Sequence, residues 1–213
     1  MGTISKGILG GFSGTVGTVV GGNWKGIDYI RSKGEGRRNN HPSPAQLAQQ
    51  LKFGIGIRFL QSVSQFIAVG FNQYAIKKTS SNVALRYLLK NAITGVFPTY
   101  GLSYADVMVS RGDLPNAGAP VAAMGTGSIL TFSWTDNTGM GIARAADQAM
   151  LLAYCPDLKQ AVYTTAGASR SALTDSLNLA QFAGRQVHTF IGFKSENNAN
   201  VATSIYTGQY LVS

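Results

Sequence analysis

Two histidines, one cysteine and nine carboxylates are all that these 213 residues offer for acid–base, nucleophilic or metal chemistry. His41 and His188 stand far apart, and neither belongs to an HExxH pair or to a Cys/His spacing of the kind that holds zinc. His41 lies in a polar, charged run, whereas His188 lies among alternating apolar positions, where a hydrogen-bonded strand residue is expected rather than a base. Cys155 has no sulfur partner in the chain and, beside Pro156 at the end of an apolar run, reads as a small buried hydrophobe. Asp136-Asn137-Thr138-Gly139 opens like a calcium loop, but the later acidic ligands do not follow, so a turn is expected. These residues predict no catalytic group, no cofactor and no metal site.

Phosphate chemistry fares little better. Gly17 and Gly22 have the spacing of the two glycines in a phosphate-binding loop, yet Asn23-Trp24 stands where Lys-Ser/Thr is required. The charge distribution is more informative. Residues 1–90 carry twelve Lys or Arg against Asp28 and Glu35, while residues 91–213 carry six against seven acids, so the whole net charge of +9 lies in the first half. Clustered like charge repels itself unless something neutralises it, which marks either a solubilising surface or one that faces a polyanion. Lys25, Arg31, Lys33, Arg37 and Arg38, with Trp24 and Tyr29 interleaved, are the residues expected to touch nucleic acid if the second reading holds.

The elements that would position these residues follow from periodicity. Twenty-six glycines in 213 residues, against an average of about 7%, crowd the first thirty-six positions. There they separate Ile4, Ile8, Leu9 and Phe12, four apolar residues expected to form a self-association arm. Val and Thr at 15–20, turn chemistry at Gly21-Gly22-Asn23 and the run Trp24 to Arg31 predict a hairpin. Lys33 to His41 should be an exposed loop. Ser43 as cap, Pro44 in the first turn and Gln46 three residues after the serine start a helix. Its stripe of Leu47, Leu51, Ile55, Phe59, Val63 and Phe66 or Ile67 predicts about six turns. Gly54 and Gly56 each cost that helix about 1 kcal/mol, so close approach to another element is their expected use. Ser80-Ser81-Asn82 caps a second helix with Ala84, Leu85, Leu88, Leu89, Ala92 and Ile93 inside and Gly95 at its end, and Lys52, Arg58, Arg86 and Lys90 lie on the exposed faces.

From Tyr104 the pattern changes to short β-prone runs at 104–110, 128–135, 148–155, 159–166, 171–179, 186–194 and 201–212, with a loop at 111–127. Seven such strands predict an antiparallel sandwich, its later strands half-buried by alternation. The expected class is therefore α+β: a basic hairpin plus helices over 1–98, then an Ig-like β-sandwich over 99–213. Neither a secretory leader at Met1 to Gly11 nor an eighteen-residue apolar run is visible, so a protein made in the cytoplasm and not inserted in a membrane is expected; a virion or extracellular assembly would be reached by lysis or a non-Sec route.

The segments GILGGFSGTVGTVVGGNWKGIDYIRS, SPAQLAQQLKF, LKNAITGVFPTY, VSRGDLP and QFAGRQVHTFIGFKSENN are similar to those of an uncharacterised Bacteroidota family of about 210-residue proteins, carried as a domain of unknown function. The resemblance covers nearly the whole chain and implies no activity. The hairpin, basic stretch and Pro-x-x-Gln helix also resemble hypothetical proteins of phage-like or mobile-element neighbourhoods, with Asn40-His41-Pro42-Ser43 where an Asn-Pro-Arg-Thr lead is usual. The expectation is a non-enzymatic structural subunit that binds copies of itself, as in a phage-like particle or filament. A nucleic-acid-binding module built on the basic half is the alternative.

Overall fold

The computed structural model describes residues 2–4, 11–34 and 41–213, and internal contacts divide the chain into two units, Met1–Ser43 and Pro44–Ser213. In the first, β-branched residues and glycines form a four-stranded antiparallel meander, β1 (Thr3–Ile4), β2 (Phe12–Val16), β3 (Val19–Trp24) and β4 (Ile27–Ser32), in spatial order β1-β2-β3-β4. The turn between β3 and β4 is Lys25-Gly26, with φ of 48° and 80°, the double positive φ of a two-residue hairpin turn. The turn expected at Gly21-Gly22-Asn23 is thus displaced. Its glycines lie inside β3 because a side chain at Gly21 would strike the carbonyl and ring of Phe12, and one at Gly22 would come within 2.9 Å of the Tyr29 ring.

The second unit begins with α1 (Pro44–Ser62), starting at the proline as expected. The chain then bends by 86° into α2 (Ser64–Gly70). In place of one long helix the stripe is split, because Val63 leaves helical geometry at φ −121°, ψ 23°, and the bend lets Phe59, Leu60, Val63, Phe66 and Ile67 all be buried in one core. No single helix among the described residues is long and apolar enough to cross a membrane. α3 (Ser80–Asn91) is capped by Thr79, whose hydroxyl accepts from the Asn82 N–H at 3.2 Å. It stops before Ile93, where the chain turns into the hairpin β5 (Ile93–Val96) and β6 (Thr99–Leu102).

Two further sheets face each other. β7 (Gly118–Met124), β8 (Ile129–Thr135) and β11 (Thr174–Asn178) make one, in order β11-β8-β7; β9 (Gln148–Cys155), β10 (Gln160–Thr164), β12 (Gln186–Lys194) and β13 (Ile205–Leu211) make the other, in order β10-β9-β12-β13. All pairings are antiparallel. Leu130, Phe132, Trp134, Leu151, Ala153, Cys155, Ile191 and Phe193 fill the space between them, which makes the sandwich. Cys155 is buried there as a free thiol.

The opposite face of the four-stranded sheet is also covered. Met150, Leu152, Tyr154 and Phe190 join Phe59, Phe66, Ile67, Leu85 and Leu88 in a second core, giving three layers: helices, sheet, sheet. β9 and β12 are therefore buried on both faces, which for β12 differs from the half-buried strand expected from its alternation, and the boundary expected at 98/99 falls inside one unit. The strand expected at 104–110 is an irregular segment, held where the Val109 and Ser110 N–H groups donate to Ser204 Oγ at 3.0 and 3.3 Å. The seventh strand instead lies within the expected loop, as β7. Its Pro120 and small side chains fit an edge strand whose register shifts between Gly118 and Val121.

Candidate functional site

The first unit carries the residues singled out for contact with partners. Direct cross-strand partners share a face, so Trp24 with Ile27, Gly22 with Tyr29, and Val20 with Arg31 line one face of the sheet. Val16 with Val19, and Gly21 with Ile30, line the other. Both faces mix apolar and polar side chains, Arg31 standing on the first and the hydrogen-bonded Asn23 and Asp28 on the second. On the first, Trp24, Ile27 and Tyr29 are 53%, 46% and 45% exposed, and on the second Val16 and Ile30 are 54% and 68% exposed. The edge strand β4 is exposed along its whole length.

Lys25 sits in the β3–β4 turn, Arg31 in β4 beside Tyr29, and Lys33 just past the strand, its N–H donating to the Thr18 carbonyl at 2.7 Å. Arg37 and Arg38 lie outside the described residues. Of the four apolar arm positions, Ile8 and Leu9 also lie outside them, while Ile4 in β1 pairs with Phe12 in β2. Phe12 is half-buried against Gly21.

A different assembly of charge appears on the helical layer of the second unit. Residues 44–105 contain six Lys or Arg and no Asp or Glu, so α1 to α3 have no acid of their own to balance them. A hollow of about 540 Å³ is lined by Tyr74, Lys78, Asn82, Arg86, Tyr87, Lys90 and Arg111 among others, four cations and no carboxylate. Arg86 and Lys90 are one helical turn apart on α3, a like-charge pair that costs a helix about 0.2–0.5 kcal/mol where an acid would stabilise it. On the α1 side of the same ridge, Asn82, Arg86 and Lys90 border a second hollow, of about 610 Å³, with Gln49, Leu85 and Leu89.

Arg111 reaches this site from a distant segment. A side chain on Gly70, at the end of α2, would meet the Val109 carbonyl and the Ser110 Cβ, so its absence lets that segment pass close by. The Arg111 N–H then donates to the Gly70 carbonyl at 2.8 Å, and its guanidinium lies 4.7 Å from the centre of the Tyr74 ring. Sequence reasoning places Arg86 and Lys90 on an exposed helix face but misses Tyr74 and Arg111. Arg111 sits in a Gly- and Pro-rich stretch, and only the fold brings it to α3.

A smaller hollow of about 180 Å³ is lined by Arg58, Tyr100, Tyr104, Tyr154 and Lys159, and Lys52 lies 4.7 Å above the Tyr100 ring. Burial raises the Tyr104 and Tyr154 hydroxyls above the usual phenol range. His188 stacks on Tyr104 with ring centres 3.8 Å apart, and its Nδ1 shares a 2.9 Å hydrogen bond with the Tyr206 hydroxyl. Burial lowers its pKa, so the imidazole is neutral at pH 7, a packed and bonded strand residue. A polar hollow of about 220 Å³ at the sandwich end mixes Arg144 with Asp147 and Glu196. Asp136 accepts from the N–H and hydroxyl of Thr138 at 2.9 and 2.6 Å, the turn expected there. Among the described residues no three His, Cys, Asp or Glu side chains cluster as metal ligands would.

The model of a family of unknown function (DUF6266) matches residues 11–208 of this chain. Among solved structures, the fn3 domain of the human collagen alpha-1(XX) chain is similar at 13% identity, with a TM-score of 0.35, over 46% of this chain and 85% of that one. No curated protein matches the chain.

Proposed function

We propose that this chain, which belongs to the DUF6266 family of unknown function, is a non-enzymatic structural subunit that self-associates through its N-terminal sheet. The observation that carries this reading is apolar exposure on both faces of that sheet: Trp24, Ile27 and Tyr29 on one side, Val16 and Ile30 on the other. An antiparallel sheet normally turns one polar face to water. Fully burying an exposed aliphatic or aromatic side chain is worth about 1.5–3 kcal/mol, so a partner that covers the exposed parts of these five side chains gains a share of that energy at each. The exposed edge of β4 adds a row of backbone groups on which an identical strand can pair, and closed symmetric association of like chains is the common outcome of such an edge.

Lys25, Arg31 and Lys33 belong to the same sheet, so copies brought together there repel one another electrostatically. Self-association of this kind strengthens as salt rises, because screening weakens the repulsion while apolar contact persists. Light scattering on the full chain tests the proposal. The wild type should run at a multiple of the 22.5 kDa monomer, and a Trp24→Ser, Tyr29→Ser, Ile30→Lys variant at the monomer mass. A wild type that stays monomeric at every concentration and salt level rules the proposal out.

A further inference from the structure

We infer that the hollow between α3 and the Tyr74–Lys78 segment binds single-stranded nucleic acid, with phosphates on Arg86, Lys90 and Arg111 and a base against the tyrosines. This site is separate from the N-terminal sheet and does not rest on self-association. Three observations converge on it. Arg86, Lys90 and Arg111 have no acidic side chain beside them in the lining, and none of the three takes part in a salt bridge among the described residues. Their charges are therefore available to a ligand's phosphates.

The second observation is spacing. Arg86 and Lys90 are four residues apart on a helix, which sets their attachment points about 6 Å apart along its axis, a row of donors along the hollow's wall instead of a single point charge. Arg111 joins the same lining from a distant segment, its backbone held by the bond to Gly70. The third is the presence of Tyr74 and Tyr87 within the same lining. Cationic grooves that track a backbone while aromatic rings accept bases are the general device of single-strand binding. A space of about 540 Å³ has the capacity of a small-molecule pocket, room for an unstacked nucleotide. A duplex keeps its bases stacked inside and would leave the rings unused, and a membrane surface presents a plane of headgroups with nothing to enter a concavity.

Fluorescence anisotropy with a labelled oligothymidylate tests this on the full chain, with the mass of the protein checked under the same conditions. The wild type should bind, with affinity falling as salt rises. An Arg86→Ala, Lys90→Ala, Arg111→Ala variant, altered only at exposed side chains, should bind at least about tenfold more weakly, and its salt slope should drop by about 0.7 for each phosphate that the variant no longer neutralises. Removing as much charge elsewhere on the second unit, by Arg144→Ala, Lys159→Ala, Arg185→Ala at exposed positions outside the hollow, should change affinity less than about twofold. An abasic strand with the same number of phosphates isolates the tyrosines without altering the protein, and should bind about tenfold more weakly than the oligothymidylate.

Equal weakening in the two triple variants would show generic attraction to a positive protein and overturn the site. Equal affinity for abasic, duplex and single strands would overturn the role of the rings. Binding to phosphatidylserine vesicles, but not to the oligonucleotide, that vanishes with the groove variant would reassign the surface to membranes and overturn the proposal.

Discussion

Arg170 and Asp147 form a fully enclosed ion pair at one end of the sandwich: Nη2 and Nε of the arginine both lie 3.1 Å from Asp147 Oδ2, and both side chains are almost wholly removed from solvent. Two further bonds hold the guanidinium, Nη1 donating to Asn137 Oδ1 at 2.6 Å and Nη2 to the Pro115 carbonyl at 2.8 Å. The guanidinium lies 4.4 Å from the Phe193 ring centre, and the Arg170 carbonyl accepts from the Trp134 indole at 2.8 Å. One side chain thus ties together the 115–117 and 136–147 loops and the sandwich core.

Breaking the pair from one side strands a buried charge. Arg170→Ala or Asp147→Asn should each destabilise the fold by about 3–5 kcal/mol, read from the urea midpoint. Replacing both with apolar residues should recover much of that stability, because no charge is then left unpaired. A single variant within about 1 kcal/mol of wild type would mean that water reaches the pair.

The two glycines in α1 should respond in opposite directions. A methyl group at Gly56 would lie 2.8 Å from Leu85 Cδ1 and 3.2 Å from Leu88 Cδ2 on α3, so this glycine serves the close helix approach expected of it. Gly54 does not: its neighbour is the flexible Arg58 guanidinium at 3.4 Å. Gly54→Ala should therefore stabilise by up to about 1 kcal/mol through helix propensity. Gly56→Ala should forfeit that gain to repacking and come out destabilising by about 1–3 kcal/mol. Thermal melts of the two variants side by side decide it.

How much of this architecture is legible in the sequence depends on whether the signal is local. The Ser43-Pro44 start of α1 and the spans of β9 and β12 are written in adjacent residues, and they appear where expected. The helical layer covering the sheet escapes that reading, although Ala149 to Cys155 holds a clue, since a strand with no polar alternation is buried on both faces. β7 escapes it because Gly118-Ala119-Pro120 looks like a loop, and only its pairing with β8 makes it a strand. For the basic hollow, the cations of α3 are legible from helical spacing, but Tyr74 and Arg111 join them only through the folding of segments distant in sequence.

Gly112 couples the fold to the basic hollow. A side chain there would strike the Val201 carbonyl and Gln73 Oε1, while the residue's own N–H donates to Thr203 Oγ1 at 3.3 Å. Gly112→Ala should destabilise by about 1–3 kcal/mol and shift its neighbour Arg111 away from Tyr74. Crystallography of the variant reads the displacement, and an unmoved guanidinium would show that Arg111 is held by Gly70 alone.

His188 supplies a pH dependence whose sign is fixed by its surroundings. The ring is packed on Tyr104 and bonded to Tyr206, and burial holds its pKa below the ordinary value near 6.5. In the unfolded chain the imidazole takes up a proton at that ordinary value, whereas the folded protein resists it. As pH falls through about 6.5 the unfolded state therefore binds more protons, and folding stability decreases until the lowered folded pKa is passed. The contribution is present above that window and lost within it, opposite to a histidine that gains an acidic partner. His188→Phe preserves the stack on Tyr104 and removes the titration. Its melting temperature should fall less than that of wild type between about pH 7 and pH 5, and parallel curves for the two proteins would show that His188 is accessible enough to protonate in place.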